Sequence, residues 1–466
     1  MKNSQKVDDY INWAVNPSAP MDSHEAKAPY IDHGTGTIAP DRYHSAAWMD
    51  AEKYHLWPRV WNWAGREEDI PEPGDFITYE LGSESFIIAR GEDRTIRAFF
   101  NVCPHRGNRL VSAEIGSLAR GFTCPFHHWR FGLDGTNTHV TDRETFRPEA
   151  LCRDLDLTAV RCDVWEGFIF INMDGKAPPL LDYLGPLPEH ARPYQLKDMR
   201  IVRWTRSIWN ANWKIGVDGF NEAYHVHAIH PEILPIFNDY DTQIDLYGFG
   251  MSRMITKFAY QSPRYEAQPN APLNEGLQAS LREVGLDPND FVGRMEAVRP
   301  AVQQAKRRRA ERLGLDYSGF LDNQLTDDWN YDIFPNIHMG IHPEGVSLLN
   351  FRPHAHDPRR FILDVIVMMH PQENPEIKPP AYMGLPEGWD ISGRERAEVV
   401  MVDPEVGGLG QVFDQDSRLF PLVQQGVESI GFRGMVLSEQ ELRIRHFHAE
   451  LDRYLQTAAG TCEQGQ

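Results

Sequence analysis

Two stretches of this chain carry residues whose types and spacing suit metal binding. The first reads Cys103-Pro-His105-Arg-Gly and is followed by Cys124-Pro-Phe-His127-His-Trp129. Two Cys/His pairs in one segment can hold a two-iron, two-sulfur cluster, with both cysteines on one iron and both histidines on the other. The second stretch lies further on and reads Asp218-Gly-Phe-Asn-Glu222-Ala-Tyr-His225-Val-His-Ala-Ile-His230. Two histidines and a carboxylate can hold a single Fe(II) and leave positions open for O2. An electron-transfer cluster and a separate iron on one chain point to oxygen chemistry.

The first stretch has the ligand set of a Rieske cluster. Four ligands must reach two irons from two directions, so two loops are needed, each supplying one Cys and one His. Spacers of one and two residues let both side chains of a loop point inward. Pro104 and Pro125 stiffen the backbone beside the cysteines, and Gly107 and Gly132 allow turns that other residues resist. Neutral histidines on one iron raise the reduction potential above that of an all-Cys cluster. A structural Cys2His2 zinc site is the competing reading, but its usual form pairs Cys with Cys and His with His.

In the second stretch His225 and His230 are the candidate iron histidines. Five residues apart, they would sit roughly 140° apart on a regular helix. Pro231 pushes His230 off helical angles, so the helix is expected to end there and turn His230 back toward His225. His227, two residues from His225, points away on a helix and suits the metal less. Asp218 and Glu222, seven and three residues before His225, share its side of the expected helix and are candidate catalytic groups. Val217 and Asn221 lie near that side and are candidates for the substrate pocket.

These side chains need a scaffold. Residues 1–57 read as an N-terminal arm with short helices, including one from Val7 to Ala14. Residues 58–178 read as a small all-β domain that encloses both Cys/His pairs. Its runs include Val60–Trp63, Phe76–Leu81, Ser85–Arg90, Thr95–Phe100 and Gly167–Asn172, separated by Gly and Asp turns. Residues 179–466 read as a larger domain with strands at Ile201–Trp209, Val346–Phe351 and Arg360–Met369. Helical, charged sequence fills the region around 275–313, and an amphipathic helix runs from Ser438 to Leu455.

Composition sets bounds. The 466 residues are 41% apolar and 24% charged, as in soluble globular proteins. No apolar run approaches a membrane span, and the first residues lack the apolar core of a signal peptide, so a cytoplasmic location is expected. A net charge of −20 argues against nucleic acid or anionic membrane as partner. Beyond Cys103 and Cys124, the thiols Cys152, Cys162 and Cys462 show no pairing pattern and read as reduced. Lys306-Arg-Arg-Arg309 with Arg312 reads as a solvated helix face, or as a dock for an acidic ferredoxin.

Taken together, these residues resemble the α subunits of Rieske non-haem iron aromatic ring-hydroxylating oxygenases, from about residue 43 to about residue 440. Asn101-Val-Cys-Pro-His-Arg-Gly and Cys124-Pro-Phe-His-His-Trp look like that family's cluster loops. Asn212-Trp-Lys214 with Asp218–His230 looks like its iron-site helix, and Ile333-Phe-Pro-Asn336 and Val423–Ser429 are fainter echoes. The resemblance implies an α+β fold. An all-β Rieske [2Fe–2S] domain would be inserted near the N-terminus of a helix-grip, START-like catalytic domain with an antiparallel sheet.

The resemblance also implies site roles. Cys103, His105, Cys124 and His127 would bind the cluster, and His225 and His230 the mononuclear Fe(II). A carboxylate late in the chain would complete the iron site: Asp416, in Phe413-Asp-Gln-Asp416-Ser, with Asp414 as second choice. Glu222 would bridge to a cluster histidine of another subunit. That transfer needs head-to-tail contacts closing into a ring, an α3 homotrimer or α3β3. Two departures stand out: Glu222 where many members have Asp, and His128 where many have Gly.

The implied enzyme is a terminal oxygenase component. It would take electrons from NAD(P)H through a reductase, possibly with a ferredoxin, and use O2 to dihydroxylate or monohydroxylate an aromatic or other apolar small molecule. The alternative is a Rieske-type monooxygenase or O-demethylase. An electron carrier without oxygenase chemistry is a more distant one, since it would not need Asp218–His230.

Overall fold

The computed structural model describes residues 2–265, 273–393 and 395–462. The chain divides into two compact units, Asp50–Tyr183 and Met1–Met49 with Leu184–Gln466. The boundaries read from sequence, 58 and 178, lie a few residues inside the first of these.

Unit Asp50–Tyr183 is built from short strands. They are β1 (Asn62–Arg66), β2 (Asp75–Leu81), β3 (Glu84–Arg90), β4 (Ile96–Phe100) and β5 (Ile115–Ser117). After these come β6 (Phe122–Thr123), β7 (Arg130–Phe131), β8 (Asn137–His139), β9 (Ala159–Trp165) and β10 (Phe168–Asn172). Seven form one sheet in the order β1-β10-β9-β4-β3-β2-β5, and β6-β7-β8 form a second. The first strand starts later than the run Val60–Trp63 suggests, because a 3-10 turn at Trp57–Arg59 carries the chain past Pro58. Phe86, Ile87, Ile88, Phe168 and Ile169 are fully buried, and this burial supplies most of the driving force for folding the sheet. Cys103 and Cys124 sit among Leu110, Phe122, Trp129, Phe131 and Leu133, so both thiols rest on an apolar floor.

The other unit holds an eight-stranded sheet: β11 (Arg200–Trp209), β12 (Gln243–Leu246), β13 (Ser252–Thr256), β14 (Asp328–Ile333), β15 (Ile337–His342), β16 (Gly345–Pro353), β17 (Phe361–Met369) and β18 (Val399–Met401). Its order is β12-β13-β14-β15-β16-β17-β11-β18. All neighbours pair antiparallel except β18, which runs parallel to β11. β14 to β17 are buried along nearly their whole length, so they lack the alternation of a half-exposed strand.

A C-terminal helix, Leu442–Cys462, lies against β12 to β14. Leu442 joins Ile244, Leu246 and Met254 in one core cluster, and Arg443 donates to Ser252 Oγ and Asn330 Oδ1 at 2.9 and 3.0 Å. This is the helix-grip arrangement within an α+β fold. The helix continues past the expected Leu455, and the side chain of Cys462 lies outside the described residues. The N-terminal helix spans Lys2–Ile11, earlier than the expected Val7–Ala14. Among the described residues no helix is long and apolar enough to cross a membrane.

The basic run has internal partners. Lys306 pairs with Glu344 at 2.7 Å, Arg307 with Asp322 at 2.8 Å and Arg312 with Glu376 at 2.6 Å, while Arg309 donates to the Glu283 and Glu376 carbonyls. Most of its charge is thus committed within the chain, which weakens the ferredoxin-dock reading.

Candidate metal centres

The two Cys/His loops close in the same way. Cys103 N–H donates to Asn108 O at 2.8 Å and Gly107 N–H to Cys103 O at 2.9 Å. In the second loop Cys124 N–H donates to Trp129 O at 2.8 Å and His128 N–H to Cys124 O at 2.9 Å. The residue four after each Cys is left-handed: Gly107 at φ +76° and His128 at φ +58°. Glycine takes that conformation freely, whereas a side chain there is strained. This is a physical reason to expect Gly where His128 stands, and the His128 side chain is exposed.

Both cysteines are buried and unbridged, and the His105 and His127 rings lie 4.6 Å apart. His105 stacks on Trp129 at 4.7 Å with the planes 4° apart. Two buried thiols and two converging imidazoles on paired loops fit a Rieske cluster.

The second stretch is not the single helix expected. One helix, Trp213–Phe220, starts at Asn212, whose side chain accepts Lys214 N–H at 3.0 Å. It ends at Asn221, and a short helix, Val226–Ile229, begins after His225. The break has a local cause. Glu222 Oε2 accepts His225 N–H at 3.0 Å and so closes the turn between the two helices. His230 follows that helix and is non-helical, as Pro231 requires. The break brings the His225 and His230 rings to 5.3 Å.

Asp416 completes the group. It lies on the helix Gln411–Val427, and one ligand atom each from His225, His230 and Asp416 lie within 4.8 Å of one another. His230 Nε2 and Asp416 Oδ1 are 3.1 Å apart, both buried, and neither has a hydrogen-bond partner. The remaining ring nitrogens are occupied: His225 Nδ1 donates to Glu222 Oε1 at 2.5 Å, and His230 Nδ1 to Gln415 Oε1 at 2.6 Å. That leaves both Nε2 lone pairs for a metal. Burial works against charge on His225, but Glu222 and Asp416 outweigh it and raise its basicity. Such a donor set, with two orphaned buried atoms facing each other, fits a divalent iron.

Other expected residues go elsewhere. Asp414 accepts Gly408 and Leu409 N–H at 3.1 and 3.0 Å and does not join the histidines. Asp218 is also apart from them. Its carboxylate accepts Tyr43 Oη–H at 2.7 Å and lies 3.1 Å from His448 Nε2, so it ties three segments together. Exposed His227 stays outside the group, and Val217 is fully buried on the first helix.

Asn221 donates to Asp332 Oδ2 at 3.4 Å, and His338 Nε2 lies 3.3 Å from Asp332 Oδ1. Burial raises Asp332 to about 7 and holds His338 well below its ordinary value, with Arg443 as the second influence on both. Phe220 lies beside His338, Phe351 and Phe413. Gln415 was not legible as a site residue; its only signal was its place between the two aspartates.

The sequence model described as "Ring hydroxylating alpha subunit (catalytic domain)" matches residues 196–457, and that of the Rieske [2Fe-2S] domain matches residues 60–150. The chain belongs to the ring-hydroxylating α-subunit family and carries that family's Rieske [2Fe–2S] domain and mononuclear-iron domain. It is 31% identical over 199 residues to the glycine betaine monooxygenase oxygenase subunit of Chromohalobacter salexigens, covering 42% of this chain and 43% of that one. It is 32% identical over 244 residues to the carnitine monooxygenase oxygenase subunit of Escherichia coli K12, covering 52% and 62%. The matches therefore span about half the length of these relatives. To the large oxygenase component of the naphthalene 1,2-dioxygenase system of Pseudomonas putida it is 36% identical over 190 residues, covering 38% and 41%. The fold is also that of a quaternary ammonium Rieske monooxygenase solved with L-carnitine, at TM-score 0.60 and 19% identity, covering 91% of this chain and 97% of that one.

Proposed function

We propose that this chain is the terminal oxygenase component of a Rieske monooxygenase acting on a small molecule with a polar, quaternary-ammonium-like group. The observation that carries the oxygenase reading is the His225–His230–Asp416 group, with His230 and Asp416 buried and the two Nδ1 atoms tied off by Glu222 and Gln415. Cys103, His105, Cys124 and His127 would hold the cluster; His225, His230 and Asp416 would hold the iron. Loaded, the cluster stores and delivers single electrons and the iron activates O2. Glu222 fixes the His225 ring and offers its carboxylate as the bridge to a cluster histidine of a second copy in an α3 ring, with or without β subunits. A reductase, alone or through a ferredoxin, supplies electrons from NAD(P)H.

One observation favours such a substrate over the aromatic one implied by the resemblance. The glycine betaine and carnitine monooxygenases are relatives at 31% and 32% identity. Ring hydroxylation of an aromatic remains the second reading, favoured by the naphthalene dioxygenase likeness and the rings of Phe220, Phe351 and Phe413.

The test starts with visible absorption and EPR on anaerobically purified protein. About three irons and two sulfides per chain, with a Rieske-type signal, are expected; zinc with no signal would sink the reading. Product analysis with glycine betaine, carnitine, γ-butyrobetaine and naphthalene then separates the two substrate classes. Glu222→Gln keeps an acceptor for His225 but removes the charge. It should retain both metals and lower turnover by roughly 10–100-fold, and full turnover in that variant would refute the bridging role.

A further inference from the structure

Three consecutive polar side chains near the start of the Gln411–Val427 helix have three different partners. Asp414 holds the backbone N–H groups of Gly408 and Leu409. Asp416 Oδ1 faces His230 Nε2 at 3.1 Å. Between them Gln415 Oε1 lies 2.6 Å from His230 Nδ1. An amide oxygen only accepts, so Nδ1 carries the proton and Nε2 is bare. A bare nitrogen and a carboxylate oxygen at that distance, both buried and without hydrogen-bond partners, repel unless a cation or proton lies between them. On His225 the same orienting contact comes from a carboxylate, Glu222 Oε1 at 2.5 Å. The two histidines are thus backed by unlike groups, one charged and one neutral.

We infer that Gln415 is a positioning residue of the metal centre: it sets the tautomer and ring plane of His230 without adding charge. With Asp416 in the ligand set and Glu222 behind His225, two negative charges already balance one divalent cation, so what His230 needs from its partner is an acceptor that orients it. Gln415 is only half-buried, so water could satisfy its amide if it turned outward. Its bond to His230 is not imposed by core packing. The inference rests on the reading of His225, His230 and Asp416 as the iron site.

The full-length protein, cluster intact and oxidised, is stripped of mononuclear metal with a chelator and titrated anaerobically with Mn(II), following the EPR signal of the free ion. Gln415→Leu should bind Mn(II) roughly 10–100-fold more weakly than wild type. Gln415→Glu, which keeps the acceptor, should recover wild-type affinity or exceed it. All three should show the same cluster absorption and the same thermal midpoint. Unchanged affinity in Gln415→Leu would overturn the inference, as would equal weakening in both variants. Wild-type protein that takes up no Mn(II) would instead overturn the iron-site reading beneath it.

Discussion

At the scale of single residues, the two cluster loops show how one backbone conformation sorts side chains. Both loops turn through a left-handed residue four positions after the cysteine, filled by glycine in one and histidine in the other. A Cβ at Gly107 would meet no atom within 4 Å, so the penalty there is conformational alone. Gly107→Ala should therefore lower the stability of the Asp50–Tyr183 unit by about 1–2 kcal/mol, and His128→Gly should raise it by about 1 kcal/mol. Denaturant unfolding followed through the cluster absorption checks both. His128→Gly should leave the cluster EPR unchanged, because that side chain points to solvent.

At the scale of elements, the metal site depends on holding two helices in register. Gly216 and Gly219 let the Trp213–Phe220 helix come close to its neighbours; a Cβ there would lie 2.6 Å from Phe351 and 2.5 Å from Phe420. Gln424 then links the two ligand-bearing regions. Its Oε1 accepts the N–H of Asn212, the cap of the site helix, at 2.8 Å. Its Nε2 donates to Tyr43 O at 3.2 Å and Glu428 Oε1 at 2.7 Å. Gln424 lies two turns beyond Asp416, so this bracket fixes the aspartate's helix against the helix that leads toward His225. Gln424→Leu leaves a buried N–H and a carbonyl unpartnered and should cost about 1–3 kcal/mol for each. Reduced iron retention should accompany the fall in melting temperature; a fall with metal affinity untouched would mean that the bracket supports the fold but not the site.

At the scale of the whole molecule, three buried histidines of the larger unit, His446, His448 and His338, resist protonation, while the raised His225 and Asp332 act the other way. His446 Nε2–H donates to the Tyr247 and Met251 carbonyls, and its Nδ1 accepts from His33. Burial, and then His33, hold it down at about 4. Burial also lowers His448 and His338. An unfolded imidazole titrates near 6.5, so below that pH the unfolded chain takes up protons that the folded chain refuses. Stability present at pH 7 is lost as pH falls through 6.5 toward 4. For His446 alone the loss is about 2 kcal/mol by pH 5. Comparing wild type with His446→Gln by urea unfolding of chelator-treated protein at pH 7 and pH 5 isolates it: wild type should lose about 2 kcal/mol more than the variant.

Much of this molecule is written locally. The Cys-x-His and Cys-x-x-His pairs set two like loops because the turn closes within six residues, so donor types and spacing suffice. Short β-branched and aromatic runs between Gly and Asp turns likewise marked most of the larger strands of the Rieske unit. β12 to β15 were harder to read, because they are buried along their length and carry Asp, Asn and His whose partners lie on other strands. The carboxylates divide on the same ground. Asp414 and Asp416 are two residues apart on one helix and so face different ways, and only packing decides which meets His230. Asp218 has the right type and spacing for the metal, yet Tyr43 and His448, from opposite ends of the chain, hold it away. The sequence by itself determined which chemistry the side chains could do. The tertiary structure decided which distant groups join them, because Gln415 lies 185 positions from His230 and Tyr43 lies 175 from Asp218.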